Sequence, residues 1–298
     1  MMTNKKVLIT GCGDLGVKVA ALLLQDHDVE CWGLRRHPPA GDALTHGRLK
    51  WISADVSDAG SLANLPEGIA DLVYCAAPGE RSEDAYSAVY LHGLQNVVRE
   101  ITIRSESKSR SAFKLNRIVF VSSTAVYGDH GDAWIDESTP TAPKAFNGRI
   151  LVETEQWLDA YAAAHTGVKA TSARLSGIYG PGRNHLIEKL RHGQATAPEG
   201  LTHWVNRIHI DDAAAAIVHI LNLPQPAPLY LVTDSTPLPM RTLYDELARL
   251  VGAPSPAIGP APASVGSKRL SNQRLIDSGF TFKWPDCRIG HAALLAKS

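Results

Sequence analysis

The sequence predicts an α/β fold, a doubly wound parallel sheet with a smaller C-terminal lobe. Three observations carry that expectation. Strand-like and helix-like segments alternate through the first 175 residues, the pattern expected of a parallel sheet with helices on both faces. A glycine-rich turn joins the first strand to the first helix. After about Tyr179 the elements shorten and Pro-rich runs interrupt them, which suits a smaller lobe.

Taken in order, Lys6–Thr10, Val29–Leu34, Leu49–Ala54, Leu72–Ala76, Arg117–Ser122 and Val168–Leu175 read as strands. Each is a short apolar or β-branched run of the kind that fills a buried parallel sheet. Leu15–Gln25, Ala85–Thr102 and Leu151–His165 carry helical spacing between them. The expected division is a nucleotide-binding domain over 1–178, joined by about 203–235, and a substrate lobe over 179–298. Ser105–Ser111 reads as a polar surface loop and Ala253–Ser264 as an exposed Pro-rich loop. No repeat at solenoid period is present.

The bulk properties exclude several classes. The chain has 298 residues, 44% hydrophobic and 20% charged, which is ordinary globular composition. Thirty Lys and Arg balance thirty Asp and Glu, so net charge offers no attraction to nucleic acid or an acidic membrane. The four cysteines stand far apart, three in expected buried β-structure or its first turn, arguing against a disulfide framework. The first residues enter a strand at once and no apolar run reaches the roughly 18 residues of a membrane span. The expectation is a cytoplasmic protein.

Thr10-Gly11-Cys12-Gly13-Asp14-Leu15-Gly16 has G-x-G-x-x-G spacing between a strand and a helix. In that context the first glycine permits the tight turn, the second lets backbone approach a pyrophosphate, and the third lets helix and strand pack closely. The helix N-terminus adds N–H donors and a positive dipole end. A Rossmann dinucleotide site is therefore expected at Gly11, Gly13, Asp14, Leu15 and Gly16. The second strand ends in Leu34-Arg35-Arg36, with no acid to bond a ribose 2′-hydroxyl, and Glu30 falls too early. A guanidinium can grip a 2′-phosphate and stack on adenine, so Arg35 and Arg36 favour NADP over NAD.

Further segments resemble the extended short-chain dehydrogenase/reductases, the nucleotide-sugar epimerase and dehydratase group. They are Ala54-Asp55-Val56, Asp71-Leu72-Val73-Tyr74-Cys75-Ala76-Ala77, Val121 to Gly128 (VSSTAVYG), Arg174 to Gly182 (RLSGIYGPG) and Ile208-His209-Ile210-Asp211-Asp212. The match runs from about residue 5 to 235. The resemblance implies that Asp55 contacts adenine, that Ala76 and Ala77 pass beneath the cofactor, and that Ser123 is the catalytic hydroxyl.

The departures concern the rest of the active site. The family's Tyr and the Lys four residues later fall on Asn147 and Leu151, and its helix Asn falls on Tyr90. Asn147 can hydrogen-bond a carbonyl but delivers no proton at neutral pH, and Leu151 only packs. The glycine spacing is one residue shorter than the family's usual form, and Gly177 stands where the family has a substrate-bonding Asn. With the runs Asn206-Arg207-Ile208-His209 and Lys268-Arg269-Leu270-Ser271-Asn272, these traits look like the YeeZ-like atypical subgroup, which keeps the nucleotide fold without the usual active-site residues.

Substitutes for the missing groups each have a plainer alternative. Tyr127 could reach a cleft or pack beneath the lobe, and Tyr90 could face the nicotinamide or pack its helix. His209 has a pKa naturally near 7 but commonly serves a backbone hydrogen bond. Arg183 and Arg207 suit a phosphate or carboxylate, or a surface ion pair; Tyr179 belongs to the same substrate-lobe group. No zinc spacing, nucleophile elbow or P-loop is present, so no metal is expected. Two readings follow: an NADP-dependent oxidoreductase or epimerase-like enzyme on a small substrate, or a non-catalytic NADP-binding redox sensor. The expected partners are an unidentified small molecule and, for assembly, a second copy in a homodimer.

Overall fold

A computed structural model describes residues 5–40, 45, 47–106, 114–200, 203–262 and 265–296. The expected loops Ser105–Ser111 and Ala253–Ser264 lie partly outside these residues, as does the start of the N-terminal run. The central element is a seven-stranded sheet. Its first five strands in chain order are β1 (Lys5–Thr10), β2 (Val29–Arg35), β3 (Lys50–Ser53), β4 (Ile69–Tyr74) and β5 (Arg117–Ser123). With Lys169–Leu175 and Leu229–Val232 they lie in the order Leu229–Val232, Lys169–Leu175, β5, β4, β1, β2, β3. The pairings β1–β2, β1–β4, β2–β3 and β4–β5 are all parallel. The strand order reverses beside β1, the switch point at which open α/β sheets bind nucleotides.

Burial follows position in the sheet. Val7, Leu8 and Ile9 of β1 and Leu72 and Val73 of β4 are completely buried, because strands in a parallel interior are covered on both faces. The edge strand β3 is less covered, with only Ile52 buried and Lys50 and Ser53 exposed. The Lys50 ammonium lies over the Trp32 ring, 5.0 Å from its centroid, so the open edge carries charge. Helix α1 (Asp14–Leu23) buries Leu15, Val19, Ala20 and Leu23 on one face, spaced as helical periodicity requires.

The helix expected over Ala85–Thr102 is longer and irregular. It comprises α2 (Glu83–Tyr86), a π-helical stretch Ser87–His92, and α3 (Gly93–Glu106). Helix α4 (Phe146–Ala164) starts five residues before the expected Leu151. The fourth strand ends at Tyr74 rather than at Ala76. Gly11 packs against the backbone of Cys75 and Ala76, and that close approach takes these two residues off the strand. The short run Leu229–Val232 adds a strand that the sequence reading does not mark.

The chain divides into two compact units that interleave along the sequence. One comprises 1–122, 149–173 and 217–229; the other comprises 123–148, 174–216 and 230–298. The segments 123–148 and 174–178 thus group with the C-terminal residues, whereas the sequence reading places them with the nucleotide domain. The second unit has its own core, in which Tyr179, Ile187, Leu190, Leu243, Leu247 and Cys287 pack together. Among the described residues no helix is long and apolar enough to cross a membrane.

Candidate functional site

The glycine loop is built as its spacing requires. Gly11 has φ +65°, a conformation open to glycine at little cost, and a Cβ there would overlap the Ala76 backbone. Gly13 is the N-cap of α1 and makes no side-chain cap, and a Cβ on it would meet nothing closer than Gly11 O at 3.8 Å. Room therefore stands over a helix N-terminus whose N-cap carries no side chain, the arrangement a diphosphate fits. A Cβ on Gly16 would press on Ile9, Cys12 and Cys75 at 3.1–3.3 Å. The Asp14 carboxylate accepts the Leu15 N–H at 2.8 Å, so the first turn carries one acid of its own.

Two charged groups, Arg36 and Asp55, stand just beyond the ends of β2 and β3. Arg36 follows β2 and Gly79 follows β4, with β1 between those strands. A Cβ on Gly79 would lie 3.4 Å from Arg36 Nη2, so the guanidinium reaches the loop that follows β4. Arg36 is exposed and Arg35 half-buried. Asp55 holds Ser57 through its side chain and its backbone N–H, at 2.7 and 2.9 Å. The Ser57 hydrogen bonds hold its carboxyl below the usual range, aided by the charge of Arg36. Ala76 is buried and Ala77 exposed just beyond β4. Glu30 is engaged elsewhere, by Trp32 Nε1 at 2.5 Å and Lys50 Nζ at 3.1 Å.

Tyr90 lies in the π-helical stretch, half-buried, 5.4 Å from the Tyr86 ring and edge-on to Phe120 at 6.2 Å. Burial pushes its phenol up to about 12. Leu151 is buried in α4. Ser122 Oγ donates to the buried Glu155 Oε1 at 2.5 Å, tying β5 to α4.

In the second unit, Ser123 caps the 3-10 turn Thr124–Tyr127 by accepting the Ala125 N–H at 3.2 Å. A hydroxyl that accepts still has its own proton to donate. Asn147 is half-buried at the start of α4, beside Gly148. A Cβ on Gly148 would press on Pro143 and on the Ala125 carbonyl at 2.6 and 2.8 Å, so this glycine brings the helix start against the turn that Ser123 caps. Sequence reasoning passed over Gly148 because no spacing marks it. Tyr127 is fully buried, its hydroxyl bonded to Asp136 O at 3.1 Å and its ring under the Arg174 guanidinium at 4.7 Å.

The substrate-lobe candidates separate by burial. Tyr179 and His209 lie in the interior, 3% and 2% exposed, with rings edge-on at 5.1 Å. Tyr179 also stacks on His291 at 4.3 Å. His209 Nδ1 accepts the Asp211 N–H at 3.1 Å, which caps the helix Ile210–Asn222. Arg183 is exposed. Arg207 pairs in register with Gly177, and a Cβ on Gly177 would lie 2.5 Å from Arg207 Nη1. The residue that replaces the family's Asn therefore leaves room for a guanidinium.

The runs 206–209 and 268–272 meet. The Asn206 amide donates to Lys268 O and accepts the Leu270 N–H, at 3.0 and 2.9 Å. Lys268 Nζ donates to Gly128 O and Gly266 O at 3.0 and 3.1 Å. Burial pulls its ammonium down to about 8. Asn272 bonds Thr233 O and Ser235 Oγ at 2.9 and 3.0 Å. These motif residues fasten backbone to backbone. Among the described residues, no three His, Cys, Asp or Glu side chains converge as a metal site would need.

A parallel sheet with a glycine loop at its switch point defines a protein of the Rossmann class. Residues 7–230 match the model of the NAD dependent epimerase/dehydratase family, and the chain belongs to that family. It is 30% identical over 291 residues to Protein YeeZ of Escherichia coli (strain K12), covering 95% of this chain and 97% of that one. A protein from Methylobacillus flagellatus, assigned to the NAD-dependent epimerase/dehydratases, shares 38% identity and 98% of both chains, with a TM-score of 0.77. UDP-glucose 4-epimerase of Thermus thermophilus, solved in complex with NAD, superposes with a TM-score of 0.78 over 98% of both chains. At 19% identity that last likeness shows the fold alone.

Proposed function

We propose that this protein is an NADP-dependent oxidoreductase or epimerase-like enzyme acting on a small, anionic, nucleotide-linked substrate. The observation that carries the reading is the Arg36 guanidinium after β2, which reaches Gly79 beyond β4, with no acid at the end of β2. A 2′-phosphate there gains charge-assisted hydrogen bonds, whereas a free 2′-hydroxyl finds no carboxylate. Arg207 supports the anionic substrate: it is half-buried and its Nη1 makes one long bond, to Asn206 O at 3.4 Å, leaving donors for a phosphate or carboxylate.

When bound, the nicotinamide supplies hydride chemistry. On the family resemblance Ser123 holds the reacting oxygen, and its proton is free to donate because its lone pair serves the Ala125 N–H. Proton transfer then falls to a group other than the usual Tyr, whose position is held by Asn147. The alternative of a non-catalytic redox sensor is favoured by Leu151, buried and apolar where the family places Lys.

Titration of the purified protein with NADPH and NADH on nicotinamide fluorescence tests the cofactor reading. Tight, NADPH-selective binding is expected, and binding of neither nucleotide overturns it. Turnover of NADPH or NADP with UDP-sugars then separates enzyme from sensor. Selective binding with no turnover across that panel favours the sensor.

A further inference from the structure

The helix that follows β4 leaves α-helical register at Ser87–His92, and the cause is visible. Tyr74, the last residue of β4, is fully buried, and its hydroxyl donates to the Val89 carbonyl inside that stretch. In an α-helix Val89 O would accept the N–H of residue 93. Residue 93 is glycine, and a Cβ on it would lie 2.5 Å from the Tyr74 hydroxyl and 2.8 Å from Val56 Cγ2. A side-chain donor inserted into the helix ladder, through a gap only glycine leaves, is a recognised cause of a π-turn. From Gly93 onward the helix is fixed independently: Leu94, Val97 and Val98 are buried, and Asn96 Nδ2 donates to Val56 O at 3.0 Å.

We propose that Tyr74 is a positioning residue for the cofactor site: its hydroxyl holds the π-turn and so sets the face on which Tyr86 and Tyr90 are presented. A π-turn adds one residue to the helix, worth about 100° of rotation. With α3 anchored, loss of the turn swings Tyr86 and the preceding Ser82 loop by about that angle. Tyr90 packs edge-on to Phe120, whose ring also meets Tyr74, near the carboxyl ends of β4 and β5. The loop leading into α2 is the one whose Ala76 meets Gly11 and whose Gly79 meets Arg36. The register of this helix is therefore coupled to the walls of the glycine-loop site. The inference rests on the cofactor reading above.

The test uses the full chain with Tyr74→Phe, Gly93→Ala, the double variant, and Ile118→Val as a control. Tyr74→Phe removes only the hydroxyl, Gly93→Ala expels it, and Ile118→Val trims the same sheet without touching the turn. Expected are an NADPH affinity lowered about tenfold or more in either single variant, a double variant no weaker than the worse single, and a control that binds like wild type. A crystal structure of Tyr74→Phe is expected to show α-register across 87–92. Wild-type affinity in Tyr74→Phe, affinity losses that simply add, or a retained π-turn each overturn the proposal. A wild-type protein that binds neither NADPH nor NADH overturns the cofactor reading itself and the positioning role with it. The crystal structure still reports whether the hydroxyl holds the turn.

Discussion

The three loop glycines should fail in three different ways when each is replaced by alanine. Gly11→Ala forces an alanine to φ +65°, costing about 1–2 kcal/mol. Its Cβ also overlaps the Ala76 backbone, which cannot withdraw easily because Cys75 N is bonded to Thr10 O at 3.0 Å. A loss of about 4 kcal/mol or more is expected. Gly16→Ala crowds three side chains at 3.1–3.3 Å, an overpacking cost of about 1–3 kcal/mol partly offset by about 1 kcal/mol of helix propensity. Gly13→Ala meets only an ordinary contact, Gly11 O at 3.8 Å. The loss of a preferred N-cap, about 0.5–1 kcal/mol, is balanced by the lower entropy of the unfolded alanine chain. Its stability should stay within about 0.5 kcal/mol of wild type. Its Cβ stands where the diphosphate must approach, however, so NADPH affinity should fall about tenfold or more. Urea unfolding followed by far-UV CD gives the first quantity, and nicotinamide fluorescence gives the second. Gly13→Ala unfolding as early as Gly11→Ala, or binding NADPH like wild type, would refute the assignment of separate tasks to these glycines.

Replacing Arg35 and Arg36 together by alanine should weaken NADPH by about 10- to 100-fold, the worth of charge-assisted bonds to a phosphate, and NADH by less than about threefold; equal losses measured by titration remove the NADP assignment. Asp234 is completely buried, and burial pushes its carboxyl from an ordinary 3.8 up to about 8. The folded state then binds more protons than the unfolded one between those values, so stability falls as pH rises, by up to about 1.4 kcal/mol per unit. Asp234→Asn should flatten that slope, its advantage over wild type growing from pH 5 to 8; parallel urea-denaturation curves across that range would count against the buried carboxyl. Asn206→Ala removes both bonds to the 268–270 backbone and should cost about 1–3 kcal/mol. That loss should fall on the second unit, and unchanged amide exchange over 266–272 would show that the amide fastens nothing.

What the sequence made legible was local. Lys6–Thr10 and the glycines after it lie within a dozen residues, and strand, turn and helix there are each specified by their own chemistry. The remainder depends on partners far apart in the chain. Tyr74 breaks the helix through Val89, 15 residues on, so the 3.6-residue pattern of 85–102 gave no sign of a π-turn. Gly177 read as a lost Asn, and only strand pairing shows it making room for Arg207. His209 and Tyr179 carry chemistry that suits a site, yet side-chain type does not report depth, and both are interior. Gly148 and Gly93 are required by contacts that no spacing encodes.

The fastening of 266–272 bears on how the chain is made. Lys268 grips Gly128 across 140 positions, and Arg269 Nε reaches Asp132 O across 137. Ser267 Oγ donates to Gly131 O and accepts the Trp204 N–H. During synthesis at roughly 5–20 residues per second, the turn capped by Ser123 leaves the ribosome well before the strap that secures it. For several seconds that segment exists without its closing partner, exposed to chaperones and proteases. The second unit should therefore fold late, after most of the chain has emerged. The glycine loop and its Ala76 neighbour, whose contacts lie within the first eighty residues, can be in place while the lobe is still unfastened.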